Sequence, residues 1–520
     1  MDYKVAICTL IGCIEQNIKG KPDYHKMEQT LGFSYRHIRS VFKKTTQISL
    51  SRYILARKIA NAAFELRHSN KSITDIAYDH EFSNPDTFTR AFRRDTGLTP
   101  SAFRKSGHQC GRRIICPGVY APVILDLTNP RFTLPKLMEV NTMGEMKKTI
   151  DSCVLYGVPK VYYGRKDGEL SQGTPFPMCL QSVLNYMGQN ISYIELMAYS
   201  GAAFRMRWDV DGWNLGAVDI RFTYEDHLRP FELGFKGAGR SYVISENPDK
   251  PKSVSKPDAI ALIKAELDCG RPLIALGVVG PPEACIVTGY RDNGETLLGW
   301  SLFQGDGGGL DEFSGDCKID ESGYFIKTNW WESTEAIMSI GEDIGHRTPV
   351  KEVLSNALML MTQSRVSTYG GNQDFYGGQA AYEAWAKALE DDASFTDDIN
   401  RTKNADTNPT GNTNTTNSPS IDEIGWCQGD AETMLGEGRS FASAYMHMLA
   451  NQHPAIAQEL NDCARLLGDA SMIVVKMWEA RKKNGLKDKQ VRSQLAALVR
   501  QAAQYENDAC LLLTQIVDKL

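Results

Sequence analysis

Apolar residues recur at helical spacing over the first hundred positions and again after position 349, with short strand-like apolar runs between. From Ser51 to Ser69 the positions Ile54, Ile59, Ala62, Ala63 and Leu66 predict one long helix. The pattern around it repeats at an offset of 50. Ile38, Val41, Phe42, Lys43, Lys44, Ile48, Ser51 and Tyr53 recur as Phe88, Ala91, Phe92, Arg93, Arg94, Leu98, Ser101 and Phe103. A Phe-Ser pair precedes each copy, Phe33-Ser34 and Phe82-Ser83, with the register slipped by one residue there. A repeat of this length marks two copies of one supersecondary unit, so residues 1–107 are expected to be all-α, with about seven short helices. Residues 108–147 carry several prolines and little periodicity and read as a linker with some ordered structure. Residues 148–346 read as mixed α/β. Strands are expected at Val161–Tyr163, Leu273–Val279, Cys285–Tyr290, Thr296–Trp300 and Ala336–Ile340, and helices at Cys179–Met187 and Pro257–Asp268. Residues 347–520 read as a helical bundle, with helices at Val350–Gln363, Ala380–Leu389, Ala431–Leu449, His453–Lys482 and Lys487–Lys519. Within it, the Asn/Thr-rich stretch 401–419 is expected to be a disordered loop. The fold class is therefore multidomain α plus α/β.

Length agrees, since 520 residues exceed what one core supports. The net charge of −5 hides an asymmetry that changes the picture. Residues 1–113 hold 20 Lys/Arg against 10 Asp/Glu, a net +10, and the remainder is net −15. A basic module joined to an acidic body is the footprint of nucleic-acid binding combined with a second role. No apolar run reaches the roughly 18 residues of a membrane helix. The N-terminal stretch lacks a basic region, and Glu15 falls where a signal cleavage site would lie. The 12 cysteines show no CxxC pairing or zinc spacing, so reduced thiols in a cytoplasmic chain are expected, with no metal and no cofactor.

The repeated unit fits a helix-turn-helix, whose second helix enters the major groove and presents its first turns to base edges. In LGFSYRHIRSVFKKTT, Gly32 suits a left-handed turn and Ser34 a helix N-cap. With Ile38, Val41 and Phe42 facing the core, Tyr35, Arg36, Arg39 and Ser40 point outward and Lys43 and Lys44 lie near phosphates. In the second copy, Ser83 or Asn84 caps, Pro85 takes the first helical position, Asp86, Thr87, Thr89 and Arg90 point outward, and Arg93 and Arg94 repeat the phosphate pair. For a lone helix these would read as solvated charges; here repeat, caps and local charge agree.

The stretch Ser72–Arg104, SITDIAYDHEFSNPDTFTRAFRRDTGLTPSAFR, resembles the signature of the AraC/XylS family of transcription regulators over its whole length, and the resemblance extends over about 100 residues. It implies two recognition helices, held by the linking helix, entering successive major grooves on one face of double-stranded DNA. A transcription activator in contact with RNA polymerase is the expectation, with repression left open as the sign of regulation. Two residues depart from the family. Glu81 and Gln47 stand where glycine is usual, which implies left-handed strain or a modified turn.

The body shows different chemistry. Cys179 in SQGTPFPMCLQSVLNYMG follows Pro177 at the start of an apolar helix, where the helix N-terminus favours a thiolate. Gln172 lies seven residues earlier. This segment and PPEACIVTGYRDNGETLLGW resemble the papain-like superfamily, most nearly the N-terminal domain of butirosin-biosynthesis acyltransferases, over roughly 150–345. That resemblance implies a Cys nucleophile, a His at the start of the first central strand and an Asp or Asn after the second. Glu283 or Ala284 occupies the His position, and Trp300 stands near the other. A Cys without a base loses most of its catalytic advantage. The expectation is a non-catalytic pocket kept as a sensor, built around Cys179, Phe204, Arg205, Trp208, Asp209, Trp213, Glu283, Trp300, Phe303 and Gln304. Cys179 taken alone remains open between packed core thiol, ligand contact and nucleophile. The competing reading is a bifunctional regulator with an active amidase or acyltransferase, which needs a base such as His227. The C-terminal helices are expected to pack as a bundle on this domain, with a homodimer through them open as well.

Overall fold

The computed structural model describes residues 10, 14, 28, 34–46, 49–68, 71–96, 98–106, 114–116, 123–125, 146–161, 172–247, 253–304, 317–395, 419–482 and 485–520. The chain divides into two compact units. One holds 1–139 with 165–171 and 447–458; the other holds 140–164, 172–446 and 459–520.

In the first unit the helices are α1 (Tyr35–Thr46), α2 (Leu50–His68), α3 (Ile73–Asp79), α4 (Pro85–Thr96) and α5 (Pro100–Ser106). The repeat is carried into three dimensions without slippage, since α1 and α4 are both 12 residues long and begin 50 positions apart. Each buries the same stripe: Ile38 and Phe42 in α1, and Phe88, Ala91 and Phe92 in α4. Equivalent aromatic pairs close each copy, Phe42 with Tyr53 at 5.6 Å and Phe92 with Phe103 at 5.3 Å between ring centroids. The long central helix α2 contributes Ile59, Ala62, Ala63 and Leu66 to the core around α4. Polar ties fix the second copy to it. Arg52 pairs with the buried Asp95 at 3.1 Å, and Arg104 donates to the carbonyls of Leu66 and Lys71. A short antiparallel pair, β1 (Ile114–Cys116) and β2 (Val123–Leu125), lies within the stretch expected to be a linker.

The second unit is built on a nine-stranded sheet among the described residues. Its strands are β3 (Met146–Lys148), β4 (Cys153–Leu155), β6 (Arg240–Glu246), β7 (Leu273–Leu276), β8 (Ala284–Arg291), β9 (Thr296–Trp300), β10 (Lys318–Ile319), β11 (Phe325–Lys327) and β12 (Ala336–Asp343). The main path runs β10-β11-β9-β8-β7-β12-β6, with β4 joined to β8 and β3 to β4, and all these pairs are antiparallel. β8 and β9 are nearly continuous apolar runs because both of their faces are covered. Gly299 is required there, since a Cβ would lie 1.7 Å from the Ile286 carbonyl oxygen. Helix α6 (Pro175–Tyr186) packs on β8 and β7, as does α9 (Lys256–Asp268). Helices α7 (Tyr193–Tyr199) and α8 (Arg229–Gly237) pack on each other and on α6. A second sheet, β13-β14-β5, joins β5 (Arg207–Asp209) to β13 (Arg365–Thr368) and β14 (Gln373–Gly377). The remaining helices are the short α10 (Trp330–Ser333), α11 (Val350–Thr362), α12 (Gly378–Glu390), α13 (Ile421–Gln452), α14 (Ala457–Arg481) and α15 (Lys489–Lys519).

At the centre of this unit a buried ion pair joins α12, α13, α15 and the segment entering β5. Arg439 meets Glu506 at 2.5 and 2.8 Å, both side chains fully buried, and also donates to the carbonyls of Ala203 and Arg205. Tyr382 donates to the same carboxylate at 2.6 Å. The predicted strand Leu273–Val279 ends at Leu276, because Gly277 at φ +80° turns the chain into the loop that carries Glu283. The strand predicted at Val161–Tyr163 and the loop predicted at 401–419 fall almost wholly outside the described residues. No described helix is long and apolar enough to cross a membrane.

Candidate functional sites

The first candidate surface is the solvent face of α1 and α4. Ser34 Oγ accepts from the His37 amide at 3.4 Å, the N-cap bond expected of it, and the Glu28 carboxylate takes the Tyr35 amide at 2.6 Å. With Ile38 and Phe42 turned inward, Arg36, Arg39, Ser40 and Lys43 are exposed and Tyr35 is half-buried. Arg39 stands 5.7 Å from the Tyr35 ring centroid. The Lys44 side chain lies outside the described residues. On α4 the cap is Asn84 rather than Ser83. Its Oδ1 accepts from the Thr87 amide at 2.8 Å and from the Thr87 hydroxyl at 2.9 Å, so that hydroxyl's proton is already committed locally. Asp86, Arg90, Arg93 and Arg94 are exposed, and Thr89 is partly so. Thus α1 and α4 each present a basic face opposite an apolar stripe. Glu81 adopts φ +60°, the left-handed conformation expected of a position where the resembled family has glycine. Gln47 lies outside the described residues.

The second candidate site lies in the other unit, where α6 meets β8. Cys179 is fully buried on α6, and its thiol donates to the Ala284 carbonyl at 3.4 Å. Burial pushes its pKa well above the usual thiol value, with Cys285 and Glu283 adding to the shift. Sequence position suggested an activated thiol; its surroundings cancel the helix-terminus effect. Glu283, in the loop entering β8, is raised to about 8, mainly by burial and next by Asp219. Arg205 is 3% exposed. Its Nη1 donates to Thr223 Oγ1 at 3.4 Å and its Nη2 to the Val218 carbonyl. Four acids that sequence reasoning did not single out surround this region. Asp219 is gripped by Arg221 at 2.9 and 2.6 Å. Glu335 takes the other arm of Arg221. Asp430 accepts from the Gly216 amide and is raised by burial to about 6. Glu437 accepts from the Gly173 amide, the Thr174 amide and hydroxyl, and the Tyr193 hydroxyl. Asp430 and Glu437 sit on α13, more than two hundred residues from their partners, beyond the reach of any local signal.

The other predicted ligand residues fall into two further groups. Trp208, on β5, lies edge-to-face with Trp213 at 5.0 Å and stacks on Trp385 at 6.2 Å, and Trp213 meets Phe395 at 5.8 Å. Asp209 accepts from Asn214 at 2.8 Å. Phe204 is fully buried. Trp300, at the end of β9, donates to the Val158 carbonyl at 2.8 Å and packs on Tyr324. Gln304 accepts from the Ser301 amide and donates to the Gly323 carbonyl, and Phe303 packs over Gly280. His227, the candidate base, is bonded to Glu246 at 2.8 Å and stacked on Tyr369. A separate cleft of about 320 Å³, absent from the sequence reading, is lined by residues including Tyr199, Arg229, Glu352, Asn356 and Met359.

Residues 27–106 match the helix-turn-helix domain family. The chain is 30% identical over 113 residues to the multiple antibiotic resistance protein MarA of Escherichia coli, covering 22% of this chain and 89% of MarA. It is 34% identical over 104 residues to the regulatory protein SoxS of Salmonella typhimurium, covering 20% of this chain and 97% of SoxS. It is 31% identical over 100 residues to the HTH-type transcriptional activator AarP of Providencia stuartii, covering 19% of this chain and 74% of AarP.

Proposed function

The chain belongs to the AraC/XylS-type helix-turn-helix family of transcription regulators, and from that premise we propose that it is a sequence-specific activator whose acidic body reports a small-molecule effector to the DNA module. The observation that carries the DNA half is the pair of equivalent 12-residue helices, each with an exposed basic face, in a segment spanning 97% of SoxS. In this reading Arg36, Arg39 and Arg90, together with Tyr35, Ser40, Asp86, Thr87 and Thr89, face base edges, and Lys43, Lys44, Arg93 and Arg94 neutralise phosphates. RNA polymerase contact belongs to the same reading, supported by the likeness to an activator.

For the body, the reading is a papain-like pocket without papain-like chemistry. Support comes from Cys179, buried against a carbonyl with its thiol kept protonated, and from Glu283 where a general base would stand. A His227–Glu246 pair is the arrangement that orients a general base, so it is the burial of Cys179 against the Ala284 carbonyl that favours the sensor over the amidase or acyltransferase. Trp208, Asp209, Trp213, Arg205 and Glu283 form the effector side of this reading; Phe204, Trp300, Phe303 and Gln304 frame it. The experiment is selection of duplexes by the full chain, followed by competition with scrambled DNA and native mass spectrometry of the chain as purified. The proposal expects a selected sequence bound about a thousandfold or more over scrambled DNA and a small molecule released on denaturation. Equal affinity for both DNAs refutes the regulator, and turnover lost on Cys179→Ser refutes the sensor.

A further inference from the structure

Two helices of the second unit line one open cleft with charges of opposite sign that do not pair with each other. The cleft, about 320 Å³, is walled by α7, α8 and α11. Helix α11 buries Val353, Leu354, Ala357, Leu360 and Met361. Its positions Glu352, Ser355, Asn356 and Met359 recur at helical spacing and all line the cleft. Helix α8 supplies Arg229 and Leu233, one turn apart. Each helix therefore brings one charge and one apolar side chain to the same space.

A polar stripe on α11 alone would be a solvated face. Here it forms one wall of an enclosure whose charged groups have spare capacity. The Glu352 carboxylate is exposed and has no ion-pair or hydrogen-bond partner among the described residues. Among those residues Arg229 reaches one carboxylate, Glu232 on its own helix, at the loose distance of 3.8 Å. Asn356 donates its Nδ2 to the Tyr224 hydroxyl, which fixes the side chain and leaves Oδ1 to accept. The walls are fixed too. Tyr199 lies so close on α8 that a Cβ at Gly237 would sit 2.3 Å from its ring. Arg347 ties the chain entering α11 to Glu195 on α7 at 3.1 Å. A cation and an anion held apart in one space, with Leu233, Val353 and Met359 beside them, match a zwitterion that carries an apolar side chain. The volume sits at the small end of ligand pockets, about 300–1,000 Å³, and suits one small molecule.

We propose that this cleft binds a free apolar α-amino acid. Its carboxylate lies on Arg229, its ammonium on Glu352 and Asn356 Oδ1, and its side chain against Leu233, Val353 and Met359. The site is separate from the effector pocket described above and does not rest on that reading.

The test is calorimetric and thermal-shift titration of the full chain with L-leucine, L-methionine and L-phenylalanine. Glycine and the N-acetyl and amide derivatives of the tightest binder follow. At least one of the three amino acids binds and raises the melting temperature. Glycine, the N-acetyl derivative and the amide each bind about tenfold or more weakly, since each lacks one of the three contacts. Glu352→Gln and Arg229→Gln each weaken the parent amino acid by about three- to thirtyfold. Their effects are also selective. Glu352→Gln erases the preference over the N-acetyl derivative and keeps the preference over the amide, and Arg229→Gln does the reverse. A merely structural role would not move the two preferences separately. If either variant fails to fold, Met359→Trp decides, because it fills the cleft from an exposed position and abolishes binding. Silence from all three amino acids overturns the proposal, as do derivatives bound as tightly as the parent. Binding that survives all three variants overturns the assignment to this cleft.

Discussion

Replacing Lys43, Arg93 and Arg94 together by alanine tests the DNA surface through its ionic-strength dependence. The three side chains are exposed, lie on the solvent faces of α1 and α4, and Lys43 and Arg93 occupy equivalent places 50 residues apart. None carries core packing, so the triple variant folds. Each phosphate neutralised contributes about 0.9 to the slope of log affinity against log salt, so three contacts contribute about 2.7. Between 50 and 200 mM salt, a fourfold change, the wild-type chain therefore loses about 40-fold more affinity than the variant. Extrapolated to 1 M salt, where counterion release no longer contributes, the two lines converge. The assay is fluorescence anisotropy of a labelled duplex against the full chain at four or five salt concentrations. A slope that falls by less than about half a unit, or a variant line parallel to the wild type and merely lower, refutes the phosphate assignment.

Single alanine changes at Arg36, Arg39 and Arg90 should each cost about 1–3 kcal/mol on the selected site and less on scrambled DNA, read by competition binding; equal losses would make these backbone contacts. Glu506→Ala should destabilise the second unit by about 3–5 kcal/mol in denaturant unfolding, because it strands the fully buried Arg439, while an Arg439→Met, Glu506→Leu double change recovers most of that loss. Glu81→Gly should raise the stability of the DNA module by up to about 1 kcal/mol by removing left-handed strain at φ +60°; a decrease in melting temperature would show that the turn is not strained. The raised carboxyls predict a pH trend with a definite sign. Folded Glu283 and Asp430 hold protons that the unfolded chain releases near pH 4, so their contribution to stability is greatest in acid and falls as pH rises towards about 8. Glu283→Gln should flatten that fall in melting temperature between pH 6 and 8, and an unchanged curve would assign it to other groups.

The DNA module was legible because its information is local. A 50-residue repeat, a Ser or Asn at each cap and a proline at the first turn of α4 act within a few residues of where they stand, and helices of 12 residues express them directly. Even the departure at Glu81 announced its backbone conformation. The central strands β8 and β9 were legible for a related reason, since burial on both faces demands an unbroken apolar run. β6 was missed because an edge strand alternates, and RSYVISE leaves Val243 facing outward. β5 was missed because its three residues gain strand character only from pairing with β14 across some 165 positions, while β13 and β14 pair locally as a short, mostly polar hairpin. The site shows the same divide. Sequence named Cys179, Arg205 and Glu283, but read the helix start as activating the thiol. The packed environment decided otherwise, since desolvation of a buried thiolate outweighs a helix terminus. That Asp430 and Glu437 approach this region from α13, and that Arg439 and Glu506 anchor the backbone beside it, follows from tertiary contacts alone: charges buried together are chosen for one another across the fold, and no period along the chain records the pairing.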